Sequence, residues 1–420
     1  MPYRVLAIAP TSFFADYGCH VRILEEARAL GRRGHQVTIC TYHNGRTPPP
    51  AAGVRVVRMP RVPWHAEARV GSHYHKLYFD ALLAATCLVR SLGHVDLIHA
   101  HLHEGALIGY LVSRLRRVPL VFDYQGSLTR EMIDHQFLRE ESPLYRPLAW
   151  LEQRIERLPD LIVTSSQHAA RTLEARRRCQ GHSPHRPPIA ALADAVDTDR
   201  FQPLDAAAVR SLRRQLAIPP DHDVVGFLGL LAEYQGVGHL LYAARRIIER
   251  RPNTHFLIMG YPGLERYRRQ AFDLQILDKV TFTGRIPYQD APRYLSLVDV
   301  AVSAKLSLSE ANGKLLNYMA MGLPTVAYDT PVARETLGDL GVFAPAGDVA
   351  ALAATIHDLL DDQVRRRDLA PALRQRAEQC FSWHTFGERL ERLYHSLRPG
   401  KRLHPHRQRG VPSPFSRGPA

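Results

Sequence analysis

Lysine is nearly missing from this chain. Its 420 residues hold 55 Lys and Arg together, and only five of these (Lys76, Lys279, Lys305, Lys314 and Lys401) are lysine. Such a ratio fits a GC-rich coding sequence rather than a special function. Cysteine is scarce too: Cys19, Cys40, Cys87, Cys179 and Cys380 lie far apart, with no CxxC pair and no His/Cys group at zinc spacing. A disulfide scaffold and a zinc module are thereby excluded, and a reducing compartment is expected. No apolar run reaches the ~18 to 20 residues needed to cross a bilayer, so any membrane contact is expected to be peripheral. The opening MPYRVLAIAPTSFF shows no small-residue cleavage site, and a cytoplasmic location is expected, with any peripheral contact at the inner face of an anionic membrane. A GxGxxG dinucleotide fingerprint is absent, as is any tandem repeat of ~20 to 50 residues.

What is present is an ordinary globular composition, 45% hydrophobic and 23% charged, which rules out a fibrous or wholly disordered chain. At ~150 residues per domain the length implies two or three domains. The net charge of +14 is unevenly spread: residues 398–420 carry five Arg, one Lys and no acid. The remainder is ordinary for an Arg-rich chain, and with no basic stripe interleaved with aromatics a nucleic-acid partner is not expected.

Short Val/Ile/Leu runs alternate with longer segments of helical period, the pattern of βαβ units around a parallel sheet buried on both faces. In the first half the strands read RVLAIAP, QVTICTY, VRVVRMP, DLIHAH, PLVFDY and DLIVTSS, with helices near 21–33, 74–91, 105–116 and 144–157. The stretch from Arg176 to Pro188, RRRCQGHSPHRPP, reads as a loop. In the second half DVVGFLG, HFLIMG, VTFTG, VDVAVSA and PTVAY repeat the scheme, and a helix over Ala350 to Asp361 is followed by others to about Leu397. Two Rossmann-like domains of similar size follow, residues 1–195 and 196–375, with a further helical segment over 376–397 and a disordered basic tail over 398–420.

In doubly wound sheets ligands bind beyond the carboxyl ends of the strands. After the first strand, Gly18 precedes a helix whose free N–H groups suit a phosphate or a hydroxyl, although a plain tight turn accounts for it equally well. In SLSEANGKLLNYMAMGLPTVAYD, Glu310, Asn312, Gly313 and Lys314 meet at a helix start. There an acid can hold a sugar hydroxyl, while the Gly313 N–H and Lys314 hold a phosphate; the alternative is a dipole partner and a solvated charge.

The order FLGLLAEYQG, HFLIMGYPG, VTFTGRIP, VDVAVSA, EANGKLLNYMAMGLPTVAYDTP resembles the C-terminal half of a family 4 glycosyltransferase of the GT-B fold. In the first half GRRGHQVTICTY, DLIHAH and ADAVDTDRFQP are similar to that family's pattern, as is FSWHTFGERLERLY near the end, and the likeness covers nearly the whole chain to Leu397. The resemblance implies an α/β architecture of two Rossmann-like doubly wound parallel-sheet domains facing a central cleft. It implies transfer of a sugar from a nucleotide sugar to a hydroxyl acceptor (glycan, lipid-linked or small molecule) with retention at the anomeric carbon. The nucleotide sugar is then a substrate, and no cofactor or metal is expected.

Departures from the family pattern bear on the site. The diphosphate-neutralising G-R-L-x-x-x-K-G stretch here reads Gly229, Leu230, Leu231, then Gln235 and Gly236, without either cation. The family's paired glutamates fall on Glu310 and Asn317 with one deletion, or on Ser309 and Asn317 without one. The Asn317 amide can still bond a ribose diol. With both cations gone, Lys314, the Gly313 N–H and the Gly18 loop are expected to share the diphosphate, Glu310 to contact the sugar, and Arg285 and Ile286 to neighbour the nucleobase through backbone contacts. Gly229, Gln235 and Asn312 complete the donor side. Asp123 and Gln125 are expected on the acceptor-side wall. His101 and His103 are acceptor-side candidates, though a core or surface role is the commoner fate of such histidines. The missing cations also leave open an inactive homologue serving as a binding partner, and a nucleotide-sugar epimerase shares the architecture.

Overall fold

The computed structural model describes residues 2–14, 18–63, 76–134, 137–179, 186–307 and 311–397. The apolar runs form two separate parallel sheets. The first contains β1 (Arg4–Ala9), β2 (Gln36–Thr41), β3 (Val54–Arg58), β4 (Leu97–His101), β5 (Leu120–Tyr124), β6 (Leu161–Thr164) and β7 (Ile189–Ala191). Its order is β3-β2-β1-β4-β5-β6-β7. The second contains β8 (Asp223–Leu228), β9 (Thr254–Met259), β10 (Val280–Gly284), β11 (Val300–Ser303), β12 (Thr325–Tyr328) and β13 (Val342–Ala344), in the order β10-β9-β8-β11-β12-β13. In β4, β5 and β9 every residue is buried, because helices cover both faces of each sheet.

The first sheet is wrapped by α1 (Gly18–Arg32), α2 (Lys76–Ser91), α3 (Leu102–Arg116), α4 (Leu128–Asp134), α5 (Tyr145–Ile155) and α6 (Gln167–Cys179). Around the second lie α7 (Ala206–Gln215), α8 (Val237–Arg250), α9 (Leu264–Asp273), α10 (Ala291–Leu295), α11 (Gly313–Ala320), α12 (Pro331–Leu337), α13 (Val349–Asp361) and α14 (Gln363–Cys380). The helix expected near 105–116 starts three residues earlier, at Leu102. The loop expected from Arg176 is helical through Cys179: Arg176, Arg177 and Arg178 form the last turn of α6, where cations complement the helix dipole. Residues 180–185 of that stretch, and the tail from 398, lie outside the described residues.

The last described helix, α15 (Trp383–Ser396), leaves the second sheet and packs on α1. Trp383, Phe386, Leu390 and Tyr394 are buried in one cluster with Ile23, Ala27 and Leu30 of α1. Ser382 caps α15 by accepting a hydrogen bond from the Thr385 N–H at 3.3 Å, and the Tyr394 hydroxyl lies 2.6 Å from His99 Nδ1 on β4. A backbone bond from Val196 N–H to Phe381 C=O (2.8 Å) ties the connecting chain to the start of this return. No described helix is long and apolar enough to cross a membrane. Since Leu390 is wholly buried, Leu390→Ala should destabilise the fold by about 2 to 5 kcal/mol, seen as a lower urea midpoint for the transition that exposes Trp383.

Candidate active site

Each sheet reverses its strand order once, between β1 and β4 and between β8 and β11, and the loops beyond these switch points face one another. Between them lies a cavity of about 360 Å³. From the first sheet it is lined by Thr11, Ser12, Gly18, Arg22, Gln125, Ser165 and Asp194, and from the second by Gly229, Leu230, Gln235, Tyr261, Ile286, Lys305, Asn312, Gly313, Lys314 and Asn317.

Helix α11 is fixed to the centre of its sheet by Tyr318, whose buried hydroxyl accepts from the Leu228 N–H (2.8 Å) and donates to the Val302 carbonyl (3.3 Å). From its first turn Lys314 reaches to the loop after β8. Its Nζ donates to Gln235 Oε1 at 2.7 Å and sits 4.1 Å from the centre of the Phe227 ring. A β-carbon at Gly229 would lie 3.0 Å from this ammonium, so glycine there keeps the lysine in place. The loop turns at Gly236, where φ is +75° and any side chain would collide with the Ala304 carbonyl. Lys305, buried, donates to the Ala311 carbonyl at 2.7 Å. The Asn312 amide donates to Ser303 Oγ (3.0 Å), and Asn317 Oδ1 accepts from the Tyr288 hydroxyl (3.4 Å).

On the other wall, the buried guanidinium of Arg22 joins Asp123 (Nη2 to Oδ1, 2.8 Å) and Asp194. Asp123 also accepts from Gln125 Nε2 at 2.8 Å and has His101 Nδ1 at 2.9 Å. Burial alone would raise the Asp123 pKa, but Arg22 and His101 outweigh it and hold the carboxyl well below its usual range. At Asp194 burial prevails over Arg22, and the pKa is raised.

Gly18, Gln125, Gly229, Gln235, Ile286, Asn312, Gly313, Lys314 and Asn317, all singled out in the sequence, line this one cavity. Four expected positions require correction. Asp123 is fully buried behind the wall, reaching the cavity only through Arg22 and Gln125, because β5 is covered on both faces. His101, buried and stacked on His99 with ring centres 4.8 Å apart, is held inward by Asp123. His103 is buried against Phe122 and Tyr124, and burial lowers its pKa. Arg285 is exposed, its guanidinium 4.8 Å from the Tyr261 ring centre, and is not a lining residue. Glu310, like Ser309, falls outside the described residues. The sequence reading missed Arg22, Asp194 and Lys305. Asp194 stood in the quoted ADAVD junction, and Lys305 is one of the few lysines.

Two family models account for most of the chain: "Glycosyl transferase 4-like domain" over residues 17–186 and "Glycosyl transferases group 1" over residues 209–376. The chain belongs to glycosyltransferase family 4. The enzyme is 27% identical over 380 residues to a 2-deoxystreptamine N-acetyl-D-glucosaminyltransferase of Streptomyces fradiae, covering 86% of its own length and 87% of the relative. It is 27% identical over 398 residues to a D-inositol 3-phosphate glycosyltransferase of Corynebacterium urealyticum, with 90% and 91% covered. A sucrose-phosphate synthase from Thermosynechococcus elongatus superposes with a TM-score of 0.78 at 20% identity, over 94% of this chain and 99% of that one, which shows the GT-B fold. The enzyme transfers a sugar from a nucleotide sugar.

One buried base makes the cleft sensitive to acid. His20, on the first turn of α1, is fully buried, its Nε2 2.5 Å from Thr11 Oγ1, and burial lowers its pKa from 6.5 to about 3. Between those values the unfolded chain binds the proton and the folded chain does not. The native state is therefore favoured above pH 6.5 and loses stability as the pH falls toward 3. The slope from this group approaches about 1.4 kcal/mol per pH unit. His20→Gln should flatten the dependence of unfolding free energy on pH between 6.5 and 5, measured by urea titration.

Proposed function

We propose that the enzyme forms the new glycosidic bond with retention, residues 1–195 presenting the acceptor and residues 196–375 the donor, with 376–397 returning to the first part. The nucleotide sugar is a substrate in this reading, and no cofactor is given a step. The observation that carries it is the position of Lys314. At the loop where the family pattern places its cations, this chain has Leu230 and Gln235, and an ammonium from α11 lies against that loop instead, bonded to Gln235. A diphosphate leaving group gains negative charge as the bond to the sugar breaks, and fixed cations and N–H dipoles in a desolvated cleft stabilise it. Lys314, the Gly313 N–H at the positive end of α11 and the Gly18 loop supply these groups, and buried Lys305 adds a second cation.

Asn317, with its neighbour Tyr288, bonds the ribose. Ile286 and Tyr261, which line the cavity, bound the nucleobase. Glu310 contacts the sugar. On the acceptor wall Gln125 is the contacting group, while Asp123 and His101 act behind it by fixing Arg22 and Gln125. Two relatives are named for ring polyols, 2-deoxystreptamine and D-inositol 3-phosphate, and a hydroxyl of a polyol, glycan or lipid-linked sugar suits a wall of amide and carboxylate groups.

Lys314→Gln should lower kcat/KM for sugar transfer by about 100-fold while leaving the melting temperature of the ligand-free enzyme unchanged. Adding Gln235→Lys to that variant should restore part of the loss, because it returns a cation to the same loop. An unchanged transfer rate in Lys314→Gln would refute the assignment. A panel of UDP-, GDP- and ADP-sugars in thermal shift identifies the donor, since a ligand of the folded form raises the melting temperature.

A further inference from the structure

Helices α2, α3 and α5 lie side by side on the face of the first sheet opposite α1 and α15. Their inner residues, among them Phe79, Leu83, Ala106, Ile108, Val112 and Ile155, fill the core. A helix packed on a sheet normally gives its outer face to charged and polar side chains. Here that face is apolar. On α2 the outer residues Leu77, Ala81, Ala85 and Val89 follow one another at helical spacing, and on α3 so do Leu107, Leu111 and Leu115. Trp150 stands out from α5. The large apolar side chains of this face are between 41% and 78% exposed.

Every exposed charge on the three helices is an arginine: Arg90, Arg114, Arg116, Arg146 and Arg154. Their acids are turned inward and engaged. Asp80 accepts from the Tyr42 hydroxyl at 2.5 Å, Glu104 pairs with Lys76, and Glu152 is buried with Thr129 and Arg176. Two of the arginines lie over aromatic rings, Arg114 at 5.0 Å from the Tyr110 centre and Arg154 at 4.9 Å from that of Trp150.

We propose that this face docks the enzyme on an anionic bilayer. Leucine side chains and a tryptophan sink into the boundary between headgroups and acyl chains, and arginines at their edge meet the negative headgroups. A solvated protein surface has no use for so much exposed leucine, and an acid-free, arginine-only charge set matches a negatively charged plane. The face is continuous with the cleft: α2 begins at Lys76 and α3 at Leu102, and both residues line the cavity. An acceptor anchored in the same bilayer therefore meets the acceptor wall directly. That last step rests on the proposed sugar transfer, whereas vesicle binding stands apart from it.

The test is co-sedimentation of the full chain with phosphatidylcholine vesicles, with and without phosphatidylglycerol. Binding is expected only to the anionic vesicles. Leu111→Glu with Leu115→Glu should weaken it at least about tenfold, and Arg114→Glu with Arg116→Glu should abolish the preference for phosphatidylglycerol. Both variants should keep the wild-type melting temperature and nucleotide-sugar thermal shift, which separates loss of docking from loss of the donor site. Deleting residues 398–420 should leave binding dependent on Leu111 and Leu115. The proposal is overturned if the wild type ignores anionic vesicles, if the leucine variant binds as well as wild type, or if the tail deletion alone removes binding. It is equally overturned if the leucine variant instead breaks a self-association seen in sedimentation velocity.

Discussion

A guanidinium shut away from water holds the cleft together. Arg22 extends from α1 to Asp123 on β5, to Asp194 beyond β7, and lies 5.4 Å from the centre of the Phe386 ring on the returning helix. One side chain therefore joins a helix, the middle of a sheet, the chain segment leading to the second sheet and the C-terminal element. Removing one partner of such a buried pair leaves the other charge uncompensated, at a typical cost of about 3 to 5 kcal/mol. The gain is geometric: Asp194 is held at the mouth of α11, its Oδ2 3.9 Å from where a β-carbon on Gly313 would stand. Asp194 is thereby fixed where the first half of the cleft meets the start of α11.

The distribution of cations follows the same logic. Arginine dominates the composition, yet the donor half of the cavity is served by Lys305 and Lys314, and the overall positive charge says little about the site. A lysine offers a compact charge on a flexible stem. From α11 such a stem crosses to the loop after β8, which carries Leu230 and Gln235 and no cation of its own. The proposed role of Lys314 thus asks a different element to supply a charge to the same loop.

How much of this was legible in the sequence depends on what each residue's neighbours reveal. Strands such as LVFDY and THFLIM declare themselves, because a helix-covered parallel strand must be apolar throughout. Helix α11 was legible too, with Gly313 at its start and Gly322 beyond its end. The three-residue strands β7 and β13 carry too few residues for any period to show. Arg22 resembles a solvated charge on an amphipathic helix, and only the fold reveals that it faces inward to two acids far along the chain. Histidines 101 and 103 look like reactive groups on a strand end and are core residues, because Asp123 and Glu152, distant in sequence, fold over them.

The helix that completes the first core is made after every element of the second sheet. The groove on α1 formed by Ile23, Ala27 and Leu30 receives its cover only from Trp383, Phe386, Leu390 and Tyr394. At synthesis rates of ~5 to 20 residues per second, the roughly 200 residues between the end of the first sheet and α15 take about 10 to 40 s to appear. For that interval the nascent first half carries an open apolar groove, a natural place for a chaperone to hold it. The order of synthesis and the order of burial are at odds here, and the first core closes only after the whole second sheet has been made.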